Sequence, residues 1–315
     1  MQPCQYSVIT TVYQTSAFLE ELLARIHQVM SAQQLDYEII CVDDQSPDDS
    51  WPMLRKIQAN ETYPLRLIRL AHNHGQHRAL LCGLQATRAI KAVIVLDSDL
   101  QNPPEEIPKL IRTFCEQHPG VVYGVSDKKR QTAWRNWGSR ILGRFLERQG
   151  ALTPHASPYK LISRELVDQL VNAQFEYIFL DAMISWYTKD VIKVKVAHEE
   201  RTQGKSSYKI GKLLQMTLQI LINYTALPLR IMTYGGLATA LLCFGLGIYF
   251  IINKIFFAVP LGFTATIVMI TFGLAVIIFS LGIIGDYIRR LYFAQLDKPN
   301  FYIQEISECN YDSMD

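Results

Sequence analysis

The sequence predicts an α/β domain with a mostly parallel sheet and helices on both faces, followed by a two-helix transmembrane hairpin. Short apolar runs alternate with helical patterns through the N-terminal part of the chain. Two long uncharged apolar runs stand near the C-terminus. The length of 315 residues suits one sizeable α/β domain with an appendage.

The sheet is predicted from five strand-like runs at 6–13, 37–44, 65–71, 91–97 and 120–126. Helical patterns lie between them, and one helix is expected from about residue 105 to 117. Apolar strands separated by helices are typical of a parallel sheet that is covered on both faces. The run "KPNFYIQEI" at 298–306 predicts a further strand, which could pair with a neighbouring subunit.

The apolar runs at 231–253 and 263–285 contain no charged residue. As helices they are about 35 Å long, and a bilayer core is about 30 Å thick. Buried core helices are the alternative, but two such runs together favour a membrane hairpin. The expected organisation is a soluble domain at 1–208, an interfacial amphipathic helix at 209–227, two spans within 228–288 and a tail at 289–315.

Charge gives an orientation for this hairpin. Arg230, Arg289 and Arg290 flank the two runs, whereas the link between them holds only Lys254. Positive flanks favour the cytoplasmic side, so we expect the soluble domain and the tail in the cytoplasm and a multi-pass protein of the inner (plasma) membrane. We also expect no signal peptide before the first strand. The net charge of +2 gives no indication of nucleic-acid binding, and six cysteines without a CxxC pair suit a reducing compartment.

Acidic side chains end two of the predicted strands. Asp43 and Asp44 follow one, and Asp97 and Asp99 follow another, in "VIVLDSDLQNPPEEIP" at 93–108. In parallel sheets, ligands bind beyond the carboxyl ends of the strands, so both pairs should face one crevice. Carboxylates suit Mg²⁺ or Mn²⁺, and a metal there could stabilise a leaving diphosphate. The alternative is that these acids only cap helices, one of which starts near Glu105.

The dinucleotide-binding glycine fingerprint is missing after the first strand, which disfavours a nicotinamide or flavin enzyme. Instead, "VDDQS", "NHGQHRALLCGL" and "LDSDLQNPPEEIP", in this order, resemble the family 2 glycosyltransferases. The resemblance narrows to the polyprenyl-phosphate glycosyltransferases because of the hairpin and of three further runs, "RTQGKSSYKIGKLL", "LPLRI" and "IGDYIRRLYFAQLDKPNFYI". That branch contains dolichol-phosphate mannose synthase and bacterial undecaprenyl-phosphate sugar transferases. The resemblance runs from about Ser7 to Ile303.

This resemblance implies a nucleotide-sugar-binding (GT-A-like) fold, a nucleotide-sugar donor and Mg²⁺ or Mn²⁺. It also implies transfer of one sugar to polyprenyl (undecaprenyl) phosphate at the cytoplasmic face. Inversion is the expected stereochemistry, and a homo-oligomer serving the cell envelope is the expected assembly. Asp97, Asp99 and Gln101 are the expected catalytic residues, with Asp97 and Asp99 on the metal. The expected donor-binding residues are Thr11, Tyr13, Asp43, Asp44, Asn73, Gly75, Asp97 and Ser98. Relatives often have Arg where this chain has His72.

The acceptor side is expected in two basic segments. The run at 127–148 interleaves basic and aromatic residues at helical spacing, which is typical of a membrane-surface helix; nucleic-acid binding or a plain solvated face are the alternatives. The second segment is the loop around Gly204, where the resemblance implies phosphate binding and an ordinary loop is the alternative. The expected acceptor-phosphate residues are Arg135, Arg140, Arg201, Lys205, Ser206, Ser207 and Tyr208.

The family pattern is disturbed at Pro158, in "SPYKLISR", where many relatives have an Asp near the reaction centre. No general base is therefore transferred to this position. A phosphate monoester has a second pKa of about 6 and is mostly dianionic at neutral pH, so it can attack without losing a proton. Asp181, in "YIFLDAMISW", is either a sugar-recognition residue or a surface carboxylate.

Two other functions compete with this interpretation. A processive polysaccharide synthase would carry a QxxRW motif, which this sequence lacks, and would need more than two spans for a conducting channel. A catalytically silent membrane adaptor is favoured by His72 and Pro158 but opposed by the intact Asp97 and Asp99 pair.

Overall fold

The computed structural model describes residues 4–60, 63–126, 157–173, 177–199, 219, 221–225, 227–257, 262–295 and 299–308. The chain divides into two compact units. The first comprises residues 1–213 and 299–315, and the second comprises residues 214–298.

The described strands, in chain order, are β1 (Cys4–Val12), β2 (Tyr37–Asp43), β3 (Leu65–Leu70), β4 (Ala89–Val95), β5 (Val121–Ser126), β6 (Lys160–Ser163), β7 (Val191–Val196) and β8 (Ile303–Glu308). The described helices are α1 (Ser16–Ala32), α2 (Ser50–Asn60), α3 (Gln76–Ala86), α4 (Ile107–Gln117), α5 (Arg164–Val171), α6 (Leu180–Tyr187), α7 (Leu227–Phe257) and α8 (Phe263–Gln295). A short 3₁₀ turn, Pro104–Glu106, leads into α4.

All eight strands form one sheet, in the order β7-β5-β6-β4-β1-β2-β3-β8. Strands β4, β1, β2 and β3 are mutually parallel, as are β5 and β7. Strands β6 and β8 run antiparallel to their neighbours. The predicted mostly parallel α/β sheet is confirmed. The strand pattern did not predict β6, which has only four residues, or β7, in which lysines interrupt the apolar run.

Helices pack on the central strands through apolar faces. In α1 the buried residues Leu19, Leu22, Leu23, Ile26 and Met30 follow the spacing of one helical face. Complete burial of such a side chain stabilises the fold by about 1.5–3 kcal/mol. The resulting core holds the carboxyl ends of β1 to β4 in a fixed arrangement.

Helix α3 lies especially close to the sheet at Gly83. A Cβ atom at this position would lie 2.6 Å from Cγ2 of Ile9 in β1. Only glycine permits this approach without displacing Ile9. The close packing fixes α3, whose first residue, Gln76, points toward the ends of the strands.

The C-terminal strand β8 pairs with β3 of the same chain, with Arg66 opposite Glu308. The strand expected in this run does form, and its partner within the chain is β3; pairing with a neighbouring subunit stays a prediction. Glu308 lies 2.9 Å from Arg66 Nη2 and 3.0 Å from Arg88 Nη2. An exposed β3 edge would otherwise offer unpaired backbone groups, and β8 covers it.

The second unit contains two long apolar helices, α7 of 31 residues and α8 of 33 residues. Leu227–Tyr249 and Phe272–Arg289 are long and apolar enough to cross a membrane, and neither window is buried within the protein. Large apolar side chains on both helices are exposed, including Phe244 and Phe279. The two runs expected at 231–253 and 263–285 fall within these helices.

The close approach at Gly83 generates a prediction. Glycine to alanine in a helix normally stabilises by about 0.5–1 kcal/mol, but Gly83→Ala should destabilise because the methyl group collides with Ile9. We expect a lower thermal midpoint in a melting experiment on the full chain. Gln85→Ala, at an exposed position of the same helix, is the matched control and should not lower it. A rise with Gly83→Ala would contradict the packing described.

Candidate active site

Asp44 holds the loop that joins β3 to α3. Its Oδ1 accepts the backbone N–H of His74 at 2.7 Å, and its Oδ2 accepts that of Gly75 at 2.8 Å. The side chain of Asn73 also donates to the carbonyl oxygen of Asp44, at 3.3 Å. Burial raises the pKa of the Asp44 carboxyl, and the two backbone donors oppose that rise. Gly75, directly before α3, has φ of 88°, a conformation that favours glycine.

Asp43 is completely buried, and its carboxylate also binds groups of the protein itself. Its Oδ1 accepts the backbone N–H of Ser46 at 3.2 Å, and its Oδ2 lies 3.4 Å from Nε of Arg69. Burial raises the pKa of Asp43, while Ser46 and Arg69 act in the opposite direction. Helix α3 begins without a side-chain cap, so the capping alternative is wrong for this pair as well: Asp44 holds the loop before α3, and Asp43 stabilises the turn after β2.

The second acidic pair lies in the turn after β4. Asp97 Oδ1 accepts the side-chain N–H of Gln76 at 2.8 Å. Asp99 accepts the backbone N–H of Gln101 at 3.2 Å and its side-chain N–H at 2.7 Å. Leu100, with φ of 59°, turns the chain back on itself. Helix α4 begins without a side-chain cap, so the alternative that this pair caps it is wrong.

The electrostatics of this turn favour a cation. Burial and then the neighbouring charge of Asp99 raise the pKa of Asp97, to about 6 in all, although Lys160 and Gln76 oppose the rise. Among the residues that the structure describes, no group of three carboxylate, histidine or cysteine side chains forms a closed metal site. Two carboxylates with open positions fit Mg²⁺ or Mn²⁺, which take their remaining ligands from water and substrate phosphates.

A buried charged network lies beside this turn. Lys160, in β6, is 2% exposed and forms an ion pair with Asp181 at the start of α6. The hydroxyl of Tyr123 donates to Asp181 Oδ1 at 2.8 Å, and Lys160 Nζ lies 5.3 Å from the centroid of the Tyr123 ring. The strand register places Lys160 opposite Val95, two residues before Asp97. Asp181 is 8% exposed, so the alternative of a surface carboxylate is wrong.

His77, in the first turn of α3, adjoins the same network. Its ring centroid lies 4.4 Å from that of Phe179. The pKa of His77 is lowered to about 4, chiefly by burial; the charge of Asp181 opposes this shift and that of Lys160 adds to it. The imidazole is therefore neutral near pH 7, and it adds no charge beside Lys160 and Asp181.

The structure brings most of the expected donor residues to one edge of the sheet. Thr11 is the last residue but one of β1, Tyr13 is 46% exposed just beyond the strand, and Ser98 is buried between the two aspartates. Gln101 also accepts the backbone N–H of Glu199 through its carbonyl oxygen, at 3.0 Å. Pro158 is exposed beside the start of β6.

Sequence reasoning missed four polar residues of this edge. One is Gln76, which lies inside the run "NHGQHRALLCGL". Another is Lys160, which could have been predicted because a lysine stands within the short apolar run "YKLIS". The other two are Tyr123 and His77. The acceptor-side residues lie outside the described residues, namely Arg135, Arg140, Arg201, Lys205, Ser206, Ser207 and Tyr208, as does most of the expected interfacial helix at 209–227.

The buried ion pair generates a prediction on stability. Asp181→Leu leaves the ammonium of Lys160 buried without its counter-ion, which should cost about 3–5 kcal/mol of unfolding free energy. Adding Lys160→Met to Asp181→Leu should recover much of that loss, because the pair is replaced by apolar groups. Thermal melting of the single and double variants measures both effects. Equal stability of the two variants would show that the charges do not depend on each other.

The comparisons with known proteins agree with this geometry. The family described as "Glycosyl transferase family 2" matches residues 7–171. An undecaprenyl-phosphate 4-deoxy-4-formamido-L-arabinose transferase of Aeromonas hydrophila is 30% identical over 95% of this chain and 93% of its own length. The transferase of the same name from Pseudomonas paraeruginosa is 29% identical over 95% of this chain and 89% of its own length.

Solved structures show the same fold. A glucosyl-3-phosphoglycerate synthase from Mycobacterium tuberculosis, in complex with Mn²⁺, UDP and glucosyl-3-phosphoglycerate, is 18% identical, with a TM-score of 0.51 over 70% of this chain and 78% of its own. A mannosyltransferase from Pyrobaculum calidifontis, in complex with GDP-Man and Mn²⁺, is also 18% identical, with a TM-score of 0.50 over 73% of this chain and 65% of its own. The fold is therefore GT-A-like. This chain belongs to glycosyl transferase family 2 and is a glycosyltransferase.

Proposed function

We propose that the protein transfers a single sugar from a nucleotide-sugar donor to undecaprenyl phosphate, or a similar polyprenyl phosphate, at the cytoplasmic face of the inner membrane. The observation that carries this proposal is the Asp97 and Asp99 turn, with each carboxylate held by a glutamine side chain. The relatives that match nearly the whole chain are undecaprenyl-phosphate sugar transferases, which supports the acceptor class.

The donor diphosphate belongs at this turn. Asp97 and Asp99 would hold Mg²⁺ or Mn²⁺, and the Mn²⁺ in two solved relatives supports a divalent ion. When bound, such an ion supplies positive charge that stabilises the leaving diphosphate. Gln76 and Gln101 keep the two carboxylates oriented. Tyr123, Lys160 and Asp181 form a rigid wall beside them, which keeps this part of the site in one geometry.

The acceptor phosphate needs no protein base in this reaction. Its oxygen attacks the anomeric carbon, the bond from that carbon to the donor diphosphate breaks, and the nucleoside diphosphate leaves with the bonding electrons. A single displacement of this kind inverts the anomeric configuration. The acceptor phosphate is mostly dianionic near pH 7. Proline at position 158 is therefore compatible with catalysis that depends on orientation and charge.

The membrane arrangement follows from α7, α8 and β8. We infer that α7 and α8 cross the membrane as a hairpin, since both are long and apolar and their large apolar side chains are exposed. Because β8 follows the hairpin and pairs with β3, the chain before α7 and the chain after α8 share one side of the membrane. The arginines that flank the hairpin support the cytoplasm as that side. A homo-oligomer stays a prediction.

Loss of the Asp99 carboxylate tests the reaction. Purified full-length protein is incubated with undecaprenyl phosphate, Mg²⁺ or Mn²⁺ and a panel of nucleotide sugars, and the lipid is followed by mass spectrometry. We expect one donor to add one sugar mass to the lipid. Asp99→Asn should lower the rate more than about a hundredfold, because loss of a metal's outer partners alone costs about ten- to a hundredfold.

Asp36→Asn, at an exposed position directly before β2, is the matched control and should keep full activity. A lipid that gains many sugars would instead support a processive synthase. Nucleotide binding without a lipid product from any donor would support the silent adaptor and contradict the proposed transfer.

The raised pKa of Asp97 predicts how metal binding depends on pH. The metal binds the ionised carboxylate, and the pKa of Asp97 in the metal-free protein is about 6. Affinity for Mn²⁺ should therefore be full above pH 7 and fall as the pH drops through about 6. Titrations at several pH values, by calorimetry or electron paramagnetic resonance, measure this. Gln76→Leu removes a hydrogen bond to the ionised Asp97 and should move the pH midpoint of metal binding upward. A pH midpoint near the ordinary aspartate pKa of about 4 in the native protein would contradict the assignment.

A further inference from the structure

Three aromatic rings meet beyond the carboxyl end of β3. The ring centroid of His72 lies 4.6 Å from that of His74 and 5.9 Å from that of Tyr302, and the His74 and Tyr302 centroids are 6.3 Å apart. His72 and His74 belong to the loop before α3, whereas Tyr302 directly precedes β8. We call these three side chains the aromatic cluster. It joins the loop after β3 to a segment that follows the two long apolar helices in the chain.

Backbone hydrogen bonds fix Tyr302 in this position. Its carbonyl oxygen accepts the N–H of Ala71 at 2.8 Å, and its N–H donates to Nε2 of His74 at 3.3 Å. Burial lowers the pKa of His74, which keeps its imidazole neutral and leaves Nε2 free to accept this bond. Tyr302 is nevertheless 53% exposed, and His72 is exposed as well. The cluster therefore presents a firmly held aromatic surface to solvent.

The cluster is connected to the Asp97 and Asp99 turn by a single short loop. Asp44 binds the backbone of His74 and Gly75, and the next residue, Gln76, binds Asp97. Four residue steps separate position 72 from position 76, a distance of at most about 14 Å even for an extended chain. This reach is of the same order as the length of a nucleoside diphosphate. A diphosphate at the acidic turn would leave its nucleoside within reach of the cluster.

The cluster is not needed to attach β8. The strand is already paired with β3 along its length, and Glu308 bridges Arg66 and Arg88 at its far end. Ser307 accepts a further hydrogen bond from Arg55 at 2.6 Å. Exposed aromatic rings beside these contacts therefore call for another explanation. Planar nucleobases stack on such rings whatever their sequence identity.

We propose that His72, His74 and Tyr302 bind the nucleobase of the donor, so that the segment following the apolar hairpin completes the donor pocket. The inference rests on the proposed function, because it needs a nucleotide donor with its diphosphate at Asp97 and Asp99. The rings supply affinity through stacking at the position where relatives often carry an arginine. Stacking does not read the edges of a base, so the cluster contributes affinity and leaves the choice of base to other contacts.

Binding of nucleotides and of pyrophosphate to the full-length protein tests this proposal. Calorimetry with Mn²⁺ present compares UDP, GDP and CDP with pyrophosphate, which lacks a base. Tyr302→Leu and His72→Ala should each raise the Kd of the tightest-binding nucleoside diphosphate about tenfold. Neither variant should change the Kd of pyrophosphate. Tyr302→Phe keeps the ring and should bind like the native protein.

Glu308→Gln is the matched control, because it weakens the attachment of β8 without touching the aromatic cluster. Its nucleotide affinity should stay native. The proposal is overturned if Tyr302→Leu weakens the binding of pyrophosphate as much as the binding of nucleotide. It is also overturned if Glu308→Gln weakens nucleotide binding as much as Tyr302→Leu does, since Tyr302 would then only hold the strand. It is also overturned if nucleotide binding is native in both ring variants while Asp99→Asn abolishes transfer, a result that leaves the proposed function intact. A native protein that binds no nucleoside diphosphate would overturn both.

Discussion

The bond between Asp44 and the loop before α3 is the interaction on which the site depends. A buried carboxylate accepts two backbone N–H groups, those of His74 and Gly75, and such charge-assisted bonds are stronger than neutral ones. They set where α3 begins, and the first residue of α3, Gln76, then reaches Asp97. One carboxylate at the end of β2 thus determines the geometry of another at the end of β4. Burial of Asp44 opposes its ionisation, and these two donors offset that cost.

The charged network beside the acidic turn is the second constraint. Lys160 and Asp181 are both buried, and burial of an isolated charge would be strongly unfavourable. Their ion pair and the hydrogen bond from Tyr123 compensate for the lost hydration. Apolar residues could fill the same space at lower cost, so the presence of charges here is consistent with a role beside the Asp97 turn. Three elements, β5, β6 and α6, are tied together at this point, which makes the wall of the site rigid.

The C-terminal segment closes the other end of the sheet. Strand β8 covers the edge of β3 and brings the segment after the apolar hairpin back to the site. The same return places Tyr302 against the histidines that precede α3.

Local patterns in the sequence determined a large part of this protein. Strands β1 to β5, helix α4, the acidic ends of β2 and β4 and the two apolar helices were all predicted, because strand and helix periodicity and apolar length are properties of neighbouring residues. The long-range contacts of the site residues were not predicted. Asp44 binds a loop 30 residues away, Lys160 meets an aspartate 21 residues away, and Tyr302 meets His74 across 228 residues. The pairing of β8 with β3 was likewise not predicted. Such contacts depend on how the strands are ordered in the sheet, and only the tertiary structure decided that order, because long-range pairing leaves no periodic signal in the chain.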